Sequence, residues 1–258
     1  MPVVPIVCDL NIYLCPDLMP KGTRTSYGLW FKSDVLKADR IVAISQGTSD
    51  RLKRILGRAA DAIVLPAVSD LYQPPTTAAL ESVREKYDLG GPYIVFVGTL
   101  EPRKNLSTLI AAHQAVNKHR ADAVTLVLVG KRGWNNKPLI EMLDGGIPHV
   151  RELGYIPESD LPPLYAGADA FVMPSTYEGY GMPAAEARAC GALVVATDIP
   201  ELREAAGDAA IFVDPTVEGL TKGIEQALTL PRPAASRSQS WDDSARILAR
   251  VLRQARRA

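Results

Sequence analysis

"ADAFVMPSTYEGYGMPAAEA" (residues 168–187) reads as a buried strand that passes through a glycine-rich turn into a helix. The apolar run at 169–174 suits a strand covered on both faces, and Pro183 suits the start of a helix, where a missing N–H costs nothing. In open α/β sheets ligands bind beyond the carboxyl ends of the strands, which places Glu178 in the crevice. Free backbone N–H groups of Gly179, Tyr180, Gly181 and Met182 then face the same space and favour an anion such as a phosphate. The pattern puts Glu186 in the first turn of the helix, leaning back toward the bound group. A carboxylate beside a phosphate site is electrostatically awkward unless it accepts hydrogen bonds from hydroxyls. Hydroxyls next to phosphates indicate a ribose and a sugar.

The same alternation of short β-branched runs and helical patterns fills the chain and predicts a parallel α/β sheet. Strands are expected at 3–7, 40–45, 62–66, 93–98, 125–130, 149–153, 169–174, 192–197 and 209–213. Helices are expected at 46–57, 105–119, 136–143, 158–166, 182–190, 200–206 and 216–229. A terminal helix from 241 to 256 is expected as well, with Ser240 as its cap, Trp241, Ala245, Leu248 and Leu252 at helical spacing, and Arg253, Arg256 and Arg257 at its end. Residues 73–92, with "QPPTT" and "LGGP", read as a linker around one short helix. This divides the chain into a partial α/β domain at 1–72, a complete doubly wound domain at 93–230, and a linker with the terminal helix at 231–258. In the first part "LNIYLCPDLMPKGTRTSYGLW" (10–30) reads as irregular, which leaves one face of a three-stranded sheet bare and predicts self-association or a partner chain.

Composition sets limits on function. With 47% hydrophobic residues in 258, the chain can bury a core. Its 29 basic and 29 acidic residues create no global field for nucleic acid or anionic membrane, so any anion must be held locally. Cys8, Cys15 and Cys190 are an odd set without metal-ligand spacing, which favours a reducing, cytoplasmic compartment. No signal peptide or ~20-residue apolar span is expected. The basic stretch "RLKRILGR" (51–58) would allow peripheral contact with the inner face of a membrane, although a solvated helix face explains it more simply. No Asp-x-Asp occurs, and His113, His119 and His149 lack partners at metal-binding spacing, so no metal is expected. The charge of a diphosphate would then fall to Arg103 and Lys104, which "VGTLEPRKNL" (97–106) carries to the carboxyl edge of the first strand of the larger domain.

A rival reading comes from "GYGMPA", which satisfies G-x-G-x-x-A, with Asp198 ending the next strand, as in an NAD-binding oxidoreductase. That fingerprint belongs to the first strand-to-helix turn of such a domain, and here it follows the fourth strand.

Taken together, "VGTLEPRKNL", "LVLVGKRGW", "LGYIPESDLPPLYAGADAFVMPSTYEGYGMPAAEA" and "TDIPELREAAGDAAIFVDP" resemble the C-terminal half of a family 4 retaining glycosyltransferase of the GT-B type. The resemblance implies that Glu178 and Glu186 are the E-x7-E pair, the first facing the donor sugar and the second holding the ribose. It implies that Lys104 contacts the diphosphate and that the loop at Tyr155 and Ile156 receives the base through backbone groups. Gly98, Thr99, Gly130 and Lys131, at the ends of the first two strands, line the donor site on the same grounds. The terminal helix corresponds to one that crosses back to the N-terminal domain. Implied partners are a GDP-mannose or UDP-sugar donor, used as a substrate with no cofactor, and a sugar or lipid-linked acceptor. Thr99 stands where the family commonly has arginine, a role Arg103 would take over, and Cys8 stands where many relatives have a histidine. Residues 1–72 match only the last part of the family's N-terminal domain, so a nucleotide-sugar-binding module inactive alone is the other expectation.

Overall fold

A computed structural model describes residues 2–19, 21–118 and 120–256; His119 and Arg257 fall outside them. Two parallel sheets organise the chain. The larger contains β4 (Tyr93–Val97), β5 (Thr125–Val129), β6 (Val150–Gly154), β7 (Ala170–Met173), β8 (Val194–Thr197) and β9 (Ile211–Val213), and the smaller contains β1 (Ile6–Val7), β2 (Val42–Ala43) and β3 (Ala62–Ile63). The helices are α1 (Asn11–Leu14), α2 (Lys21–Lys37), α3 (Gln46–Leu56), α4 (Thr77–Lys86), α5 (Leu106–Asn117), α6 (Lys137–Asp144), α7 (Leu161–Gly167), α8 (Met182–Ala189), α9 (Pro200–Ala206), α10 (Val217–Ala227) and α11 (Trp241–Ala255).

In the larger sheet the order is β6-β5-β4-β7-β8-β9, all parallel. The chain starts in the middle, winds to one edge, then returns and winds to the other, which is the doubly wound arrangement. Both faces are buried, and the period-2 geometry of a strand sorts its side chains between them. Tyr93, Val95 and Val97 pack with Phe171 and Met173 beneath α7, α8 and α9. Ile94 and Phe96 turn the other way, to Leu109 of α5 and Ile224 of α10. The order reverses between β4 and β7, so the loops that follow these two strands diverge from a shared crevice.

In the smaller sheet the order is β1-β2-β3, with two residues in each strand. Here the expected irregular stretch at 10–30 is corrected. It contains α1, a short 3-10 turn at Pro16–Leu18 and the first part of the 17-residue α2. Phe31 and Val35 of α2 join Val7, Leu10, Ile41 and Leu52 in a small core, so the face expected to be bare is partly covered. Tyr27, Leu29 and Trp30 of the same helix remain exposed. The terminal helix α11 starts with a reciprocal capping box between Ser240 and Asp243 and lies against β3, where the Ser244 hydroxyl donates to Leu65 O at 2.7 Å. Its Trp241 is 59% exposed. Among the described residues no helix is long and apolar enough to cross a membrane.

The loop after β7 joins the two sheets. Tyr177 is buried in the core of the smaller sheet, and its hydroxyl oxygen accepts the Leu10 N–H at 2.6 Å. Two positions on, the Gly179 carbonyl accepts the hydroxyls of Ser45 at 2.6 Å and Thr48 at 2.9 Å. A Cβ at residue 179 would stand 2.0 Å from Cys8 O, so the backbones meet where only glycine fits. Glu178 lies between these two anchors.

Candidate functional site

Because β4 and β7 are neighbours, the 98–105 loop and the 174–181 loop face one another. Lys104 Nζ donates to Glu178 Oε1 at 2.6 Å, and the Arg103 guanidinium donates to Glu178 Oε2 at 2.7 Å and to Tyr177 O at 3.0 Å. On its other edge Arg103 Nε lies 2.7 Å from Glu101. Glu101, Lys104 and Glu178 are each only 5% exposed, so this is a desolvated charge cluster rather than a surface pair. Burial by itself would raise the Glu178 carboxyl, but Lys104 and Arg103 outweigh it and hold the group below its ordinary value. Burial lowers the Lys104 ammonium, against the pull of Glu178.

Glu186 sits in a different environment. It is the fifth residue of α8, a turn deeper than the expected first-turn position. The Tyr165 hydroxyl donates to its Oε2 at 3.1 Å, and no cation pairs with it among the described residues. Burial pushes its carboxyl up to about 7, the Tyr165 hydrogen bond opposes this, and Glu158 adds a little repulsion. Glu178 is therefore held charged and engaged, whereas Glu186 is held poised and without a cation.

Between the two carboxylates, Gly181 caps α8 with φ of 111°, a left-handed conformation that suits glycine. The N–H groups of Gly179 and Tyr180 donate to no backbone carbonyl among the described residues, which leaves them available to a ligand. The Tyr180 ring is buried and its hydroxyl meets Ser238, so only its backbone can serve the crevice. Gly98 and Gly130 end β4 and β5 with φ of 149° and 138°, and a Cβ on Gly130 would lie 2.0 Å from Gly98 O. The same test at Gly98 places a Cβ 3.8 Å from the Lys104 stem. Thr99 is half-buried beside them. Lys131 lies 5.3 Å from the centre of the exposed Tyr155 ring, while Ile156 is buried in the core and offers only its backbone.

Other residues singled out by sequence fall elsewhere. Asp198 makes a bidentate pair with Arg203 at 2.5 and 2.7 Å, which engages the acid that the dinucleotide reading needs. His113 is buried against Val124 O, and burial lowers its pKa. Burial pushes the Cys190 thiol up to about 12, far from nucleophilic character. Four contributors carried no signal in the sequence: Tyr177 and Gly179 as the joint between sheets, Glu101 as the second acid on Arg103, and Tyr165 as the hydroxyl on Glu186.

The family profile of the Glycosyl transferases group 1 matches residues 79–246, well over half of the chain. Over 254 residues the chain is 35% identical to the O-antigen chain mannosyltransferase B of Escherichia coli, covering 96% of this chain and 64% of that protein. It is 33% identical over 153 residues to a GDP-mannose-dependent alpha-(1-6)-phosphatidylinositol monomannoside mannosyltransferase of Mycobacterium tuberculosis, covering 56% of this chain and 38% of that one. The chain thus spans less than two thirds of the length of these relatives. Among solved structures, Anabaena HepE in complex with UDP and glucose superposes with a TM-score of 0.74 at 20% identity, over 98% of this chain and 70% of that one. The sucrose-phosphate synthase of Thermosynechococcus elongatus gives 0.74 at 21% identity, over 97% and 67%. The fold of two facing α/β units with parallel sheets is the GT-B fold.

Proposed function

The chain belongs to the glycosyl transferases group 1 family, and from that premise we propose that it binds a nucleoside diphosphate sugar in the crevice between β4 and β7 and transfers the sugar to a hydroxyl acceptor. The observation that carries this reading is the meeting of Arg103, Lys104 and Glu178 at the point where the strand order reverses. A buried Lys104 and a half-buried Arg103 beside free N–H groups at the start of α8 form an anion site, and the cations are held ready by a carboxylate. When the diphosphate arrives it takes over Lys104 and Arg103. Glu178, released from them, accepts hydrogen bonds from the sugar hydroxyls, while Glu186 accepts from the ribose. Tyr155 and Ile156, with Gly98, Thr99, Gly130 and Lys131, border the base and phosphates.

In the transfer step the acceptor oxygen forms a bond to the anomeric carbon on the face where the bond to the diphosphate oxygen breaks, which retains configuration. The acceptor proton passes to the departing phosphate oxygen. Lys104, Arg103 and the amides of Gly179 and Tyr180 stabilise the charge that collects there. Because these groups supply the positive charge, the reaction proceeds without a metal. The relatives named as mannosyltransferases favour GDP-mannose as donor and a cell-surface polysaccharide or glycolipid as product. Thermal stability measured with GDP, UDP, ADP and NAD in EDTA, alongside hydrolysis of GDP-mannose and UDP-glucose, tests the proposal. GDP should stabilise most and NAD not at all. Stabilisation that required a divalent cation would overturn the metal-free reading, and binding without any hydrolysis or transfer would leave a binding module.

A further inference from the structure

Resting on the reading above, we propose that the cavity between α2 and the loop after β5 is the acceptor site, and that it takes the neutral pyranose ring of a glycan. The cavity holds about 360 Å³ and is lined by Asp9, Asn11, Tyr27, Phe31 and Trp134 together with two aliphatic side chains. That is the size and lining of a small-molecule site, apolar walls with a few polar groups that fix orientation.

Three rings wall it. Tyr27 and Trp134 are 53% and 45% exposed, so large aromatic surfaces from both halves of the molecule face open space. Two of the three are held in place. Trp134 Nε1 donates to Leu18 O at 2.7 Å, and Phe31 packs edge-on against Tyr13 with centroids 5.9 Å apart. Fixed rings lower the entropy lost when a flat ligand stacks on them. A pyranose presents such a face, its axial C–H groups, and carries hydroxyls around its rim.

The polar groups match those hydroxyls. Asp9 Oδ1 accepts the Asn11 N–H at 3.0 Å, and its Oδ2 has no partner among the described residues. Asn11 Oδ1 is shielded from solvent and has no donor among the described residues. A hydroxyl arriving in the cavity, with a small rotation of the carboxamide, satisfies an acceptor that is otherwise left unpaired at a cost. Among the described residues the one charge on the lining is the Asp9 carboxylate, which disfavours a phosphate or a carboxylate and favours a neutral ring over the head of a lipid phosphate. A smaller adjoining pocket shares Asn11 and Trp134 with the cavity and reaches Glu101 and Arg103, which links the bound ring to the crevice of the donor.

Ligand-observed NMR titration of the intact chain with methyl α-mannopyranoside, methyl β-glucopyranoside and n-octyl phosphate tests the assignment, with GDP and UDP affinity measured on the same samples. A methyl glycoside should bind, and Trp134→Ala and Tyr27→Ala should each weaken it about three- to tenfold, the scale of one lost ring contact. Nucleotide affinity should not change in these variants, and Trp241→Ala, on a tryptophan outside the cavity, should leave both ligands as they were. The proposal is overturned if no glycoside binds, if glycoside binding is indifferent to Trp134 and Tyr27, or if octyl phosphate binds there in preference. The nucleotide titration separates this from the donor assignment, because nucleotide binding without glycoside binding removes the acceptor site alone.

Discussion

Lys104 Nζ lies 2.6 Å from Glu178 Oε1 although 74 positions separate the two residues. The contact exists because the strand order of the larger sheet reverses between β4 and β7, so that the loops after its first and fourth strands share one crevice. With Arg103 on the second oxygen of the same carboxylate, Glu178 engages both of the cations that the proposed function assigns to a diphosphate.

That competition gives an expectation of opposite signs. Glu178→Gln should weaken binding of the nucleotide sugar, which loses an acceptor for its hydroxyls, yet tighten binding of bare GDP or UDP, since both cations become less neutralised. Without ligand the variant should also be less stable to unfolding, by up to about 3–5 kcal/mol, because a buried ion pair has lost its anion. Calorimetric titration of both ligands against wild type and variant checks this, and equal weakening of both would place Glu178 outside the competition.

Lys104→Ala removes the cation most deeply buried in the pair. The loss should fall on GDP and not on guanosine, at ~1.5–3 kcal/mol for a charge-assisted hydrogen bond, or about 10- to 150-fold in affinity. The comparison of nucleotide with nucleoside is the readout, and similar losses for both would remove Lys104 from the phosphate site.

The larger sheet was almost wholly legible in the sequence. Short apolar runs closed by Gly98, Gly130 and Pro174 show where strands give way to loops, and the observed ends of β4 through β9 lie within two residues of the expected ones. The stretch that became α2 was not. "KGTRTSYGLWFKSDVLK" carries two glycines and a polar, β-branched start, and its apolar residues fall around the helix rather than along one stripe, so periodicity had nothing to register. The site was legible as a set of residues at one edge, because each follows a strand. Its pairings were not, because they depend on which strands are neighbours, and a linear pattern is silent about strand order. Hence Arg103, Lys104 and Glu178 were all nominated as ligand-binding groups, but their binding to each other came only from the structure.

Gly179→Ala tests the joint between the sheets. Residue 179 does not have positive φ, so the penalty is steric: a methyl group 2.0 Å from Cys8 O forces the two sheets apart and strains the Ser45 and Thr48 hydrogen bonds. A loss of ~1–3 kcal/mol in chemical denaturation is expected. Donor binding should also weaken, since Glu178 is the neighbouring residue. An alanine variant as stable as wild type would show that the sheets do not meet so closely in solution.

The Glu186 carboxyl supplies a pH dependence whose sign is fixed by its environment. Burial raises its pKa from 4.5 to about 7, with the Tyr165 hydroxyl its one direct partner among the described residues and the Glu158 carboxylate nearby. Between these two values the folded chain keeps a proton that the unfolded chain releases, so this group's contribution to stability is greatest below pH 4.5 and is lost as the pH rises through 7. Ligand binding should run the other way. Only the ionised carboxylate is a pure acceptor for two ribose hydroxyls, so affinity for GDP should increase as the pH rises through about 7 and level off above it. Glu186→Gln, which holds the site neutral at every pH, should bind more weakly than wild type at alkaline pH and show little change of affinity across this window. Titrations of GDP from acid to alkaline pH on both proteins make the comparison, with guanosine included because it retains the ribose and lacks the phosphates whose own ionisation would confuse the result. A wild-type profile for guanosine that is flat through neutrality, or a Glu186→Gln profile that keeps the wild-type slope, would detach Glu186 from the ribose.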